Sequence, residues 1–421
     1  MRRFIAFIVT LILLAPGAMV HAYDFSYLNR LSPASDGFLG RTLAINDGFV
    51  FAGAPQFDSG EGGVWLFRYD DDGLTLVREI PARVESPRRF GGSIASSGEW
   101  TAIGYAGGTD QIDLYRRVGD DWEFFDSLFS PSPGEIGGIG VDRFGSQVAL
   151  SGDRLIVGDP SADIQGGEAN VGVALIFGRN VGGSNAWGLE DFLVAPGPTA
   201  DGFASGLAIG GDTVLVAESG VEDVHVFTRS GGGWGFTTTL APVDSEPDDG
   251  FGDCANSNSG CLAIFGDRVA VGTTSGNETT GSTAGSVHVF SRNLGGANQF
   301  GQIAQVLPST PTSIDAFGQD VKLSDGLLFI SAPGNQSNRV YVFQDGAGGY
   351  TEVQTIMAPT DVPTGNVEFG STLAYEDGFL IVGSERWDDN PDRFGAVMSY
   401  RSAAIADCGG LDALFCDRFE E

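Results

Sequence analysis

The chain has one lysine, Lys322, in 421 residues, and only His225 and His288 as histidines beyond residue 22. Both histidines sit in the same short motif, Val-His-Val-Phe. Repetition explains that placement, so neither is read as a base or metal ligand, and no Ser-His-Asp or Cys-His set can be assembled. Cysteine is scarce too. Cys254 with Cys261, and Cys408 with Cys416, form two close pairs without Cys-x-x-Cys spacing or a neighbouring histidine, which argues against zinc. Basic residues are few: without Arg2 and Arg3 there are 21 against 55 acidic ones, a net of −34. That balance excludes nucleic acid and anionic membrane surfaces as partners, since both demand basic patches. Beyond the N-terminus no apolar run approaches the roughly 18 residues of a membrane span.

At the N-terminus, Arg2 and Arg3 precede an apolar core, Phe4 to Leu14, and a small-residue site, Val20-His21-Ala22. This reads as a signal peptide over residues 1–22, cleaved after Ala22, for a secreted or cell-surface protein. Export meets oxidising conditions, so both cysteine pairs are expected as local disulfides.

What the chain has in abundance is glycine, 64 residues, about twice the usual share of roughly 7%. It falls at regular positions. A unit of Phe-Gly, short apolar strand, tight turn, second strand and aromatic-ended third strand recurs from Phe38 (as Phe-Leu-Gly), Phe90, Phe144, Phe203 (Phe-Ala-Ser-Gly), Phe251, Phe317 and Phe369. The clearest copy runs through Val148-Ala149-Leu150, the turn Gly152-Asp153, Arg154 to Gly158, and Val173 to Phe177, with a fourth strand from Asp191 to Pro196. Apolar runs of this length bounded by Gly, Pro and Asp are buried strands. Seven units of four strands predict an all-β, seven-bladed β-propeller. Two-residue turns joining the first two strands, such as Asp47-Gly48 and Asp377-Gly378, suit primed hairpin turns with positive φ. The motif Phe is expected to wedge between blades.

The seventh unit lacks a fourth strand, and Phe25 to Pro33 carries a matching segment at the front. We therefore expect it to pair with Gly395 to Arg401 and close the ring, removing an exposed sheet edge. The chain divides into the leader 1–22, a propeller over 23–403 with repeats starting near 36, 89, 142, 201, 249, 315 and 367, and a tail over 404–421 holding the second cysteine pair.

With Ala52-Gly53-Ala54-Pro55 as its best copy, and Gly158-Asp159-Pro160 and Ser331-Ala332-Pro333 as variants, the repeat resembles the FG-GAP repeat of integrin α-subunit propellers and their bacterial relatives. The likeness covers about residues 36 to 400. Kelch propellers have a similar period but carry Gly-Gly doublets with spaced Tyr and Trp that do not recur here, and Trp-Asp strand ends are absent. Many FG-GAP members carry an Asp-x-Asn-x-Asp-Gly calcium loop between strands one and two. Here that connection is a two-residue turn, which cannot supply the six to eight oxygens calcium prefers. No cofactor is therefore expected, and calcium is disfavoured. The tail, Leu411 to Glu420, resembles short C-terminal tags of exported Gram-negative proteins, with Arg418 where those have glycine. That implies sorting or attachment; a disulfide-closed end is the alternative.

The connections carrying Phe-Gly and those between strands two and three are expected on one face, where binding usually resides. Candidate contacts there are Gln56, Asp58, Asp110, Asp163, Asn256, Asn258, Asn277, Asn335, Arg386, Trp387 and Asp388. Cys254–Cys261 closes a seven-residue excursion of the fifth unit, which is read either as a pre-organised contact or as a stabilised insertion. The reading is a monomeric, exported, non-enzymatic module binding a protein or glycan. The alternatives are a polysaccharide-acting enzyme with paired carboxylates in the central funnel, and a structural envelope protein.

Overall fold

Strands such as Phe49–Ala54, Thr213–Glu218 and Leu327–Ala332 are buried at every residue, so both sheet faces must be covered. Neighbouring sheets do the covering. The computed structural model describes residues 24–402 except 33–36, 85–87, 108–109, 165–166, 198–200, 244–249, 255–259, 275–283, 295, 311–314, 335–337, 361–366 and 387–393. They form seven four-stranded antiparallel sheets arranged as a β-propeller, with one small extra ladder pairing Ile139–Gly140 and Asp163–Ile164.

The first blade runs outward through Thr42–Asn46, Phe49–Ala54, Gly63–Asp70 and Gly73–Pro81. Five more follow within residues 90–129, 147–193, 203–240, 262–306 and 321–357. Among the described residues, buried apolar side chains form seven clusters, one at each blade junction. Strand alternation feeds them. In the second strand of the first blade, Phe49 and Phe51 enter the junction with the second blade, whereas Val50, Ala52 and Ala54 enter the junction with the seventh.

The seventh blade is completed by the N-terminal strand. Phe25–Leu31 pairs antiparallel with Ala396–Ser402, from Phe25 opposite Ser402 to Leu31 opposite Val397, with a bulge after Tyr27. It is also tied to both neighbouring blades. The Phe25 N–H donates to Gln354 Oε1 at 2.7 Å, and the Asn29 amide spans the Leu74 backbone N–H and C=O, each at 2.8 Å.

The motif aromatics Phe90, Phe144, Phe203, Phe317 and Phe369 are fully buried and pack against an aromatic of their own blade, as Phe144 does on Phe177 and Phe317 on Tyr341. In the first blade the expected register is off by one. Leu39, 1% exposed, bridges Gly395 as Phe90 bridges Gly62. Phe38 instead takes the left-handed position, φ 61°, that Arg89, Ala316 and Glu368 hold before their phenylalanines.

Tight turns close the first hairpin of most blades. Asp47-Gly48 and Asp377-Gly378 have positive φ at both residues, and Gly98, Gly152, Gly211 and Gly266 at the first residue, the two primed types. The sixth blade departs: only Gly326 is positive, and its first strand shortens to Val321–Leu323.

Candidate functional site

Hydrogen bonds between loops place the Phe-Gly connections and the loops between strands two and three on one face. The Gln56 N–H donates to Gly37 C=O, Arg89 to Gly60, Gly202 to Asn170 and Phe317 to Ala284. The opposite face carries the hairpin turns, and arginines clamp it. Arg117 of the second blade binds Asp47 in the first blade's turn. Arg179 reaches Glu99 at 2.9 Å and Asp153 at 3.2 Å. Arg229 reaches Glu190 at 2.8 Å and Arg401 reaches Asp71 at 3.1 Å. Most of these pairs cross a blade junction, so the turn face is held together by charge as well as by core packing.

On the loop face, Gln56 is exposed just before the single turn Phe57–Gly60, and Asp58 is exposed within it. Asp58 and its neighbour Ser59 both have left-handed backbones, φ 48° and 60°. Asp110 is exposed with φ 52°. Partial burial, then the carboxylates of Asp159 and Asp142, hold its carboxyl above the usual range. Asp163 serves its own loop by accepting the Asn170 N–H at 2.7 Å. Arg386 pairs with Glu368. Asn256, Asn258, Asn277, Asn335, Trp387, Asp388, Cys408 and Cys416 lie outside the described residues.

Cys254 and Cys261 are bonded, with Cα atoms 5.5 Å apart, and both are buried in the cluster between the fourth and fifth blades. The bridge is therefore a core element. Cys254 Sγ fills the space where a Cβ on Gly206 would stand.

Both histidines are buried within their blades. His225 Nε2 lies 2.7 Å from Glu218 Oε2 and Nδ1 lies 2.9 Å from Thr239 Oγ1. Its ring packs on Phe203, as that of His288 does on Phe251.

The innermost strands surround a central cavity of about 410 Å³. One register of these strands carries groups that stitch neighbouring blades. Thr42 Oγ1 donates to Gly91 C=O at 2.6 Å, Ser93 Oγ to Gly145 at 2.7 Å, and Thr372 Oγ1 to Gly40 at 2.6 Å. The stitch requires glycine opposite: a Cβ on Gly53 or Gly104 would collide with both the hydroxyl and the accepting carbonyl.

Two residues further along, the register reads Ala44, Ala95, Ala149, Ala208, Ala263 and Ala374 in six blades. In the sixth blade it reads Lys322. There the stitching position is Asp320, 1% exposed by its side chain, whose Oδ2 accepts the Leu373 N–H of the next blade at 2.9 Å. Lys322 pairs with Asp320 Oδ1. The chain's only lysine is thus the counter-ion of a buried carboxylate that replaces a hydroxyl. The sequence alone does not show this pairing, which appears only when the seven registers are aligned.

Buried acids went unmarked for the same reason. Asp113 Oδ2 accepts the Tyr105 hydroxyl and its Oδ1 accepts Gln111 Nε2 and Ser127 Oγ. Asp159 accepts the N–H groups of Asp142, Arg143 and Ser161. Their signal was a lone aspartate in an apolar strand.

No family model matches the chain, and no curated protein matches it. Among solved structures it resembles a chain of the mitotic checkpoint complex, with a TM-score of 0.56 and 13% identity over 95% of this chain and 98% of that one. It also resembles the Cps50 (Swd1) β-propeller domain of Myceliophteria thermophila, with a TM-score of 0.55 and 10% identity over 90% and 99%. At these identities the likeness is one of fold.

Proposed function

We propose that this chain is an exported binding module of FG-GAP type that recognises a glycan or protein with its loop face. The observation that carries this reading is the asymmetry of the two faces. The turn face is built mostly of two-residue hairpins, and acidic residues on it are clamped by arginines across blade junctions. The loop face carries the longer connections, with exposed Gln56, Asp58 and Asp110 on a backbone fixed by hydrogen bonds. Variable loops on a rigid scaffold are where recognition usually resides.

A polysaccharide-cleaving enzyme would need two carboxylates about 5–9 Å apart in the funnel. Asp320 is the one carboxylate among the described residues of the cavity wall, and its oxygens are engaged by Lys322 and Leu373. The test is a thermal-shift screen of the mature protein against polysaccharides, glycans, calcium and a chelator. A ligand at 100 times its Kd should add about 2.7 kcal/mol. Release of new reducing ends from a polysaccharide would replace this reading with the enzymatic one.

A further inference from the structure

Between the first and second blades the loop face opens into a depression of about 770 Å³, lined by Gln56, Ser59, Gly60, Glu61, Arg88, Arg89 and Gly107. Most arginines of this acidic chain are spent on carboxylates: Arg41, Arg68, Arg78, Arg116, Arg117, Arg154, Arg179, Arg229, Arg268, Arg386 and Arg401 each hold one, while Arg83 stacks on Phe124, Arg292 and Arg339 bind neutral side chains, and Arg143 is exposed with no carboxylate among the described residues. Arg88 and Arg89 are exposed and hold none among the described residues. One carboxylate, Glu61, lines the same depression, so the described residues of its wall carry a net positive charge within a chain of net −32.

The wall is also built rigidly. The Arg89 N–H donates to Gly60 C=O at 2.9 Å, and its own C=O accepts the N–H groups of Gly92 at 3.0 Å and Ala106 at 3.3 Å. Three loops are thereby tied to one arginine. Ser59, which lines the depression, and its neighbour Asp58 occupy consecutive left-handed conformations. The left-handed backbone of Arg89 belongs to the repeat, but this pair is peculiar to the first blade. Backbone strain of this kind costs on the order of 1–3 kcal/mol per residue and clusters at binding sites.

We propose that this depression binds an anionic polysaccharide through Arg88 and Arg89. This inference rests on the loop-face reading and names its ligand class. The planar guanidinium fork matches a carboxylate or sulfate in two parallel hydrogen bonds. The Gln56 amide, the Ser59 hydroxyl and the glycine backbone suit sugar hydroxyls, and the wall offers no apolar pocket for the aromatic or aliphatic anchor that protein interfaces centre on. The excess negative charge elsewhere is screened beyond about 8 Å at physiological ionic strength, so short-range bidentate contacts decide binding.

The experiment measures binding of the full mature protein to polygalacturonate, dextran sulfate, neutral dextran and polyglutamate, with R88Q, R89Q, the double variant and R143Q. Arg143 is exposed on another connection and serves as the control. Expected is binding to polygalacturonate, dextran sulfate or both, at least tenfold weaker in R88Q/R89Q and unchanged in R143Q, with equal melting temperatures. Preference between the two polyanions assigns carboxylate or sulfate. Equal binding of neutral dextran, or polyanion binding indifferent to R88Q/R89Q, overturns the inference while leaving the loop-face reading intact. Binding of polyglutamate alone overturns the glycan assignment in favour of an acidic protein. Loss of every loop-face ligand from the screen above would defeat the broader reading as well.

Discussion

Single residues carry the blade junctions, and two of them make sharp tests. Asp320 and Lys322 put a buried ion pair where the first, second and seventh blades carry a hydroxyl and an alanine. Lys322→Ala leaves a buried carboxylate without its counter-ion, a class of change costing about 3–5 kcal/mol in full burial. Lys322 is 29% exposed, so about 2–3 kcal/mol is expected in chemical denaturation. Combining Asp320→Thr, Lys322→Ala and Ser331→Gly rebuilds the Thr-Ala-Gly arrangement of Thr372, Ala374 and Gly383, and should recover most of that loss; a triple variant as unstable as the single one would refute the stitching account. Glu376 offers a pH test at the seam between the seventh and first blades. Its Oε2 accepts the Asp47 N–H at 2.6 Å and the Tyr69 hydroxyl at 2.7 Å. Burial raises its carboxyl above the usual range, against the Tyr69 hydrogen bond and with a contribution from Asp377. The native state thus holds this proton more tightly than the unfolded chain, so its contribution to stability falls as pH rises from the unfolded carboxylate range through the native one. Glu376→Gln keeps the acceptor without the charge. It should be more stable than the parent at pH 7, with the gain vanishing below about pH 4; a gain that persists there would contradict the assignment.

At the scale of elements, the N-terminal strand and the disulfide close different seams. Removing Phe25–Leu31 uncovers the outer edge of the seventh blade and vacates Phe25 from the junction with the sixth. The shortened chain should aggregate and melt earlier; a monomer with an unchanged melting temperature would refute closure by this strand. The Cys254–Cys261 bridge closes a short loop and should contribute about 2–3 kcal/mol, measurable as the loss in a Cys254→Ala/Cys261→Ala variant. Much at this scale was legible in the sequence. Seven spaced motifs fixed the blade count, and the missing fourth strand after Tyr400 pointed to its N-terminal substitute. The Leu39 register was not legible, because Phe-Leu-Gly offers two adjacent apolar residues for one wedge. Nor was the burial of the disulfide, since spacing reports that two cysteines can meet but not which cluster encloses them. Of the candidate site, the sequence marked Gln56 and Asp58. It passed over Arg88 and Arg89, because only the folded chain sets this adjacent pair in one depression with Gln56 and Ser59.

Over the whole molecule, one ring supports two faces of different character. Arginines joined to turn acids across junctions make the turn face a clamp, while the loop face between the first two blades holds two exposed arginines with no carboxylate partner among the described residues. Exposed pairs contribute up to about 1 kcal/mol each, so the clamp acts through stability. The proposed role of the two loop-face arginines is in ligand binding. The direct test of this division measures polygalacturonate affinity and melting temperature on the same two double variants, R88Q/R89Q and R117Q/R179Q. The account predicts that R88Q/R89Q loses affinity at an unchanged melting temperature, and that R117Q/R179Q melts earlier with its affinity intact. Loss of affinity in R117Q/R179Q at an unchanged melting temperature would contradict it.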